Sequence, residues 1–69
     1  MTVEVVDWKW FSGVDTVGYV LCEDQVTGEK KGYLGVAKFR DEAQDIEHIK
    51  NFGCKLSSDH VKFIFGEFF

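Results

Sequence analysis

Two short apolar runs, Thr16–Glu23 and Lys31–Lys38, are joined by Asp24-Gln25-Val26-Thr27-Gly28-Glu29. This arrangement constrains the chain more than any other feature. Glycine enters the left-handed backbone region at little steric cost, so Gly28 predicts a hairpin closed through a bulge. The two strands do not alternate cleanly. Val17, Tyr19 and Leu21 point one way, Val20 and Cys22 the other; in the second strand Leu34 and Val36 oppose Tyr33 and Ala37. An antiparallel sheet with one wet face shows polar residues there. Here both faces need cover, from the rest of the chain or from another subunit. Gly18, Gly32 and Gly35 weaken the strands and mark bulges or the close approach of another backbone.

Val3–Phe11 is rich in β-branched and aromatic residues and reads as a further strand. Strict alternation places Val6, Trp8 and Trp10 on one side and Asp7 and Lys9 on the other. Ser12-Gly13-Val14-Asp15 reads as a turn. Asp41 can cap a helix over 42–52, with Gln44 completing a capping-box-like pair. Glu42 and Asp45 lie near its positive end, His48 and Lys50 near its negative end. Ala43, Ile46, Ile49 and Phe52 form its expected apolar stripe, and Gly53 a C-terminal cap. Residues 57–66 fit two patterns. As a strand, Val61, Phe63 and Phe65 share a side; as a helix, Val61, Ile64, Phe65 and Phe68 share one. Ser57 as a cap, and a staple between Leu56 and Val61, favour the helix. The expected fold is a single α+β domain over 1–69. It has a small antiparallel sheet of about three strands, one amphipathic helix, and a short C-terminal helix or strand.

A 69-residue chain buries only about 60% of the surface its unfolded form exposes. Yet it carries seven Phe, two Trp and two Tyr, each able to bury roughly 150–250 Å². Such a load predicts self-association, with Val20, Cys22, Phe65, Phe68 and Phe69 as the expected interface. Twelve Asp and Glu against eight Lys and Arg give a net charge of −4. That balance argues against DNA or RNA as partner, because phosphates require a basic face. No apolar run approaches the roughly 18 residues of a membrane span. The start Met1-Thr2-Val3-Glu4 lacks signal-peptide character. A cytoplasmic protein with two free thiols is expected.

No catalytic, metal or cofactor site is expected. Cys22, His48, Cys54 and His60 lack the close paired spacing of a structural zinc site. Cys54 follows a helix C-terminus, which disfavours a thiolate. No glycine-rich phosphate loop is present. Aromatic residues and isolated cations instead suggest a small, nucleotide-like ligand held at a subunit interface. Trp8, Trp10 or Tyr33 would stack on it, and Lys38 or Arg40 would meet its negative charge. The competing expectation is an inhibitor or adaptor that docks a larger protein through its acidic helix or Phe-rich tail.

The strand Gly18-Tyr19-Val20-Leu21, the turn Val26-Thr27-Gly28-Glu29, the strand Tyr33-Leu34-Gly35-Val36 and the acidic helix ending in Phe52-Gly53 together resemble small accessory proteins of bacteriophages. The resemblance covers about half of the chain. It implies expression in a bacterial cytoplasm. It also implies a role against host defence, by sequestering a nucleotide signal between subunits or by blocking a host protein.

Overall fold

A computed structural model describes residues 3–13 and 15–66. Its elements run β1 (Val3–Phe11), β2 (Val17–Asp24), β3 (Lys30–Val36), α1 (Glu42–Phe52), β4 (Cys54–Lys55) and α2 (Ser58–Phe65). The four strands form one antiparallel sheet in the order β1-β2-β3-β4. The α+β layout is the expected one, with a two-residue strand added at one edge.

The β2–β3 turn closes as its sequence directs. Gly28 has φ +75, and its N–H donates to the Asp24 carbonyl at 2.8 Å. The Asp24 carboxylate accepts from the Val26 and Thr27 N–H groups, which keeps the turn folded on itself.

The question of what covers the two apolar faces has a definite answer: this chain covers both. On one face Val20 and Cys22 pack with Ile49 of α1, flanked by Val5, Trp10, Tyr33 and Ile46. On the other, Leu21 packs with Val61 and Phe65 of α2, flanked by Val6, Tyr19, Leu56 and Ile64. The protein is therefore three layers thick, with β2 at its centre. Val20, Cys22 and Phe65, expected at a subunit interface, are core residues with at most 1% of their surface exposed. Phe68 and Phe69, the other two expected interface residues, lie outside the described residues.

Glycines make the layers fit. Gly18 and Gly35 are cross-strand partners, and Ile49 sits directly over both. A Cβ on Gly18 would stand 2.7 Å from Ile49 Cδ1, and one on Gly35 2.9 Å from Ile49 Cγ1. The Trp10 ring lies across the same spot on Gly18. The absence of side chains thus forms the seat for α1.

The first strand departs from strict alternation. Val5 pairs with Cys22 and Asp7 with Leu21, leaving Val6 as an extra residue in a bulge. A bulge reverses the facing of everything beyond it. Val6 consequently packs in the α2 layer while Trp10 packs in the α1 layer, so the expected common side for Val6, Trp8 and Trp10 is corrected.

Helix α1 has the predicted limits, with Asp41 accepting from the Gln44 N–H at 3.2 Å. Its buried face differs from the expected stripe. Ile49 is buried and Ile46 half-buried, but Ala43 is exposed and Phe52 is 78% exposed. Asp45 is buried instead. Gly53 is not left-handed (φ −72). It is needed because a Cβ there would stand 2.7 Å from the Leu34 carbonyl oxygen. The ambiguous tail is helical, and Ser57 accepts from the His60 N–H as its cap.

Candidate functional site

The residues expected to hold a ligand are only partly brought together. Trp10 and Arg40 line one open cleft of about 240 Å³, with Thr16, Ala37, Glu42 and Asp45. Tyr33 lines a separate cleft of about 70 Å³ with Val3, Cys22, Asp24, Glu29 and Lys31. Trp8 lies on the α1 side of β1, where α1 leaves it 38% exposed. Lys38 is exposed, its ammonium 5.6 Å from the centre of the Phe39 ring. Trp8, Tyr33 and Lys38 are therefore not part of the Trp10–Arg40 cleft.

Local rules explain that cleft. The β3–α1 connection must turn sharply to bring α1 back over the sheet. Arg40 takes the left-handed conformation, φ +56, which is costly for a residue with a Cβ. The turn is held from below by Asp45. Its Oδ1 accepts from the Lys38 N–H at 3.1 Å and the Phe39 N–H at 3.0 Å. A buried carboxylate is tolerable when donors of this kind satisfy it. Asp45 is thus a strut for the loop. Its identity was visible in the sequence, but its role was hidden behind the usual preference for acids in a first helical turn. Among the described residues Arg40 forms no ion pair, unlike Lys30, which pairs with Glu23 at 3.3 Å, and Lys50, which pairs with Glu47 at 3.9 Å. The cleft wall is of mixed charge, because Glu42 and Asp45 line it together with Arg40.

The thiols and imidazoles sit apart. Cys22 is buried and Cys54 exposed, and both are free. Burial pushes the Cys22 thiol above its ordinary value; nearby Lys50 opposes this and Glu47 adds to it. His60 Nδ1 lies 3.1 Å from Ser57 Oγ, but that hydroxyl already accepts the His60 N–H as a helix cap. Among the described residues no group of three or more His, Cys, Asp or Glu is placed to hold a metal ion. No helix among them is long and apolar enough to cross a membrane.

A feature absent from the sequence expectations is a partly exposed aromatic ridge along α1. The Phe39 ring stands edge-on to His48 with centroids 5.3 Å apart. The His48 ring meets Phe52 at 5.2 Å. Phe39 is 46% and Phe52 78% exposed. The ridge arises because residues 48 and 52 are one helical turn apart, while the Asp45 strut brings Phe39 alongside them. The spacing of 48 and 52 was legible; the position of Phe39 depended on an unforeseen loop. Glu47 and Asn51 flank the ridge and are hydrogen-bonded to each other at 3.1 Å. No family model, curated protein or solved structure matches the chain.

Proposed function

We propose that this chain is a non-catalytic binding protein that docks a larger protein through the Phe39–His48–Phe52 ridge. The observation that carries the reading is the exposure of Phe52. It sits on a helix whose other large apolar residues turn inward, and it continues a stack of rings. Aromatic residues, Phe among them, are enriched at the buried centres of protein interfaces. The acidic flank of α1, with Glu42 and Glu47 exposed, suits a partner whose apolar socket is edged by basic groups. The resemblance to bacteriophage accessory proteins adds the class of that partner: a host protein.

The test compares the full chain with Phe52→Ser and Phe39→Ser in quantitative capture of a partner from a bacterial lysate, coupled to cross-linking from position 51. Loss of the captured band in both variants, with an unchanged circular dichroism spectrum, supports the reading. Full retention in both refutes it. Loss only on deletion of Glu67–Phe69 transfers docking to the tail.

A second reading follows from the shared cleft of Trp10 and Arg40. A flat anionic ligand, nucleotide-like in chemistry, would stack on the indole and meet the guanidinium. Glu42 and Asp45 in the same wall oppose phosphates. Tryptophan fluorescence unchanged through a titration with nucleotides and cyclic nucleotides removes this reading.

A further inference from the structure

Asp45 does more in the Trp10–Arg40 cleft than hold the loop. Only 4% of its surface is exposed. Its Oδ1 is committed to the Lys38 and Phe39 N–H groups. Its Oδ2 accepts from no group among the described residues. Among those residues, every fully buried polar side-chain atom has a hydrogen-bond partner. Oδ2 is therefore not sealed in, and the cleft that Asp45 lines is where it opens. Glu42, exposed at the start of α1, lines the same cleft. Two carboxylates against the one guanidinium of Arg40 leave the cleft with an excess of negative charge.

A negatively charged cleft beside an indole suits a cation. At about 240 Å³ it is smaller than the roughly 300–1,000 Å³ pockets that hold whole small molecules. A single side chain fits it better than a nucleotide does. We infer that the cleft seats an arginine side chain of the docked protein, its guanidinium against Trp10 and donating to Asp45 Oδ2. A guanidinium suits the cleft better than an ammonium because it is planar, stacks on rings and is more weakly hydrated. The layout of α1 ties this contact to the ridge. Asp45, His48 and Phe52 follow i, i+3, i+7 along one stripe of the helix, and Phe39 directly precedes Arg40. One segment of the docked protein can thus cover Phe52 and reach the cleft. The inference rests on docking through the ridge, and it excludes an anionic ligand in the same cleft. Toward an anion Arg40 is an anchor; toward an arginine it is a repelling neighbour.

The probe is N-acetyl-arginine amide, titrated into the full chain carrying Trp8→Phe, so that Trp10 alone supplies tryptophan fluorescence. Saturation in the millimolar range is expected, because one side chain is only part of an interface. N-acetyl-citrulline amide, alike in shape but uncharged, should leave the emission flat. Asp45→Asn keeps an oxygen for the Lys38 and Phe39 N–H groups and should raise the probe's dissociation constant about tenfold. Arg40→Ala should lower it. Should Trp8→Phe fail to fold, the indole N–H resonances of the wild-type chain carry the same titration. Emission that ignores the arginine probe, or answers citrulline equally, overturns the inference. So does Asp45→Asn that binds as wild type does, or Arg40→Ala that abolishes binding. Capture of the docked protein separates this contact from the ridge. Capture lost in Phe52→Ser yet undiminished in Asp45→Asn leaves ridge docking standing and overturns the arginine contact. A probe that binds while Phe52→Ser and Phe39→Ser capture fully keeps the guanidinium site and overturns its tie to the ridge.

Discussion

Replacing Asp45 should show how far one buried carboxylate holds the β3–α1 connection. In Asp45→Ala the N–H groups of Lys38 and Phe39 both lose their acceptor. A hydrogen bond to a charged group contributes about 1.5–3 kcal/mol. Lys38 and Phe39 are both exposed, so water can reach part of the released loop, and the lower end of that range applies to each. Alanine regains roughly 0.5 kcal/mol through its better helix propensity. The net loss is then about 2–3 kcal/mol. With a urea m-value of about 1 kcal/mol/M for so small a domain, the unfolding midpoint should fall by roughly 2 M. Asp45→Asn supplies the control. Both N–H groups are accepted by a single oxygen, which the amide keeps, so the loss should be about 1 kcal/mol. The assay is urea unfolding followed by circular dichroism, with equal m-values required. A loss below about 0.5 kcal/mol for alanine, typical of plain surface sites, would refute the strut. Equal losses for alanine and asparagine would refute the assignment to one accepting oxygen.

Gly18→Ala should destabilise the fold by about 1–3 kcal/mol, because the new methyl overpacks Trp10 and Ile49. Adding Ile49→Val, which removes the methyl that the new Cβ meets at 2.7 Å, should recover part of the loss in thermal melts; full additivity would count against the clash. Arg40→Gly relieves a left-handed residue and should raise stability by up to about 1 kcal/mol, or roughly 4–8 °C in Tm. Arg40→Ala should bring no such gain, and equal gains would point to removal of charge instead. The Cys22 thiol, raised by burial, holds its proton more tightly folded than unfolded. Its contribution is complete below the ordinary thiol value of 9.0 and fades as pH rises past it. Cys22→Ala should accordingly show a shallower loss of stability above that pH than the wild type does.

Much of the fold was legible because local chemistry and global packing agree in the hairpin and in α1. Gly28 can only be read as a turn residue, and Asp41 with Gln44 marks a helix start without help from elsewhere. The tail became readable once Ser57 is weighed as a cap. What was hidden depends on contacts far apart in sequence. Nothing local in Val5-Val6-Asp7 signals a bulge, so the facing of the first strand could not be set by counting. Asp45 is buried because the loop before α1 needs an acceptor beneath it, and Phe52, the last residue of that helix, is left exposed. A surplus of apolar side chains was correctly counted, but its location was not. Val20, Cys22 and Phe65 are consumed within the chain, and the excess surfaces at Trp8, Phe39, Phe52 and Phe63.

Because successive residues of β2 address opposite helices, the length of that strand cannot drift. One inserted residue would hand α1 the side chains meant for α2, and α2 those meant for α1, scrambling both halves of the interior at once. Two inserted residues would keep the alternation but move the Gly18–Gly35 seat from beneath Ile49. Variation in length should therefore collect in the solvent-facing turn at Gln25–Gly28, where added residues alter neither layer.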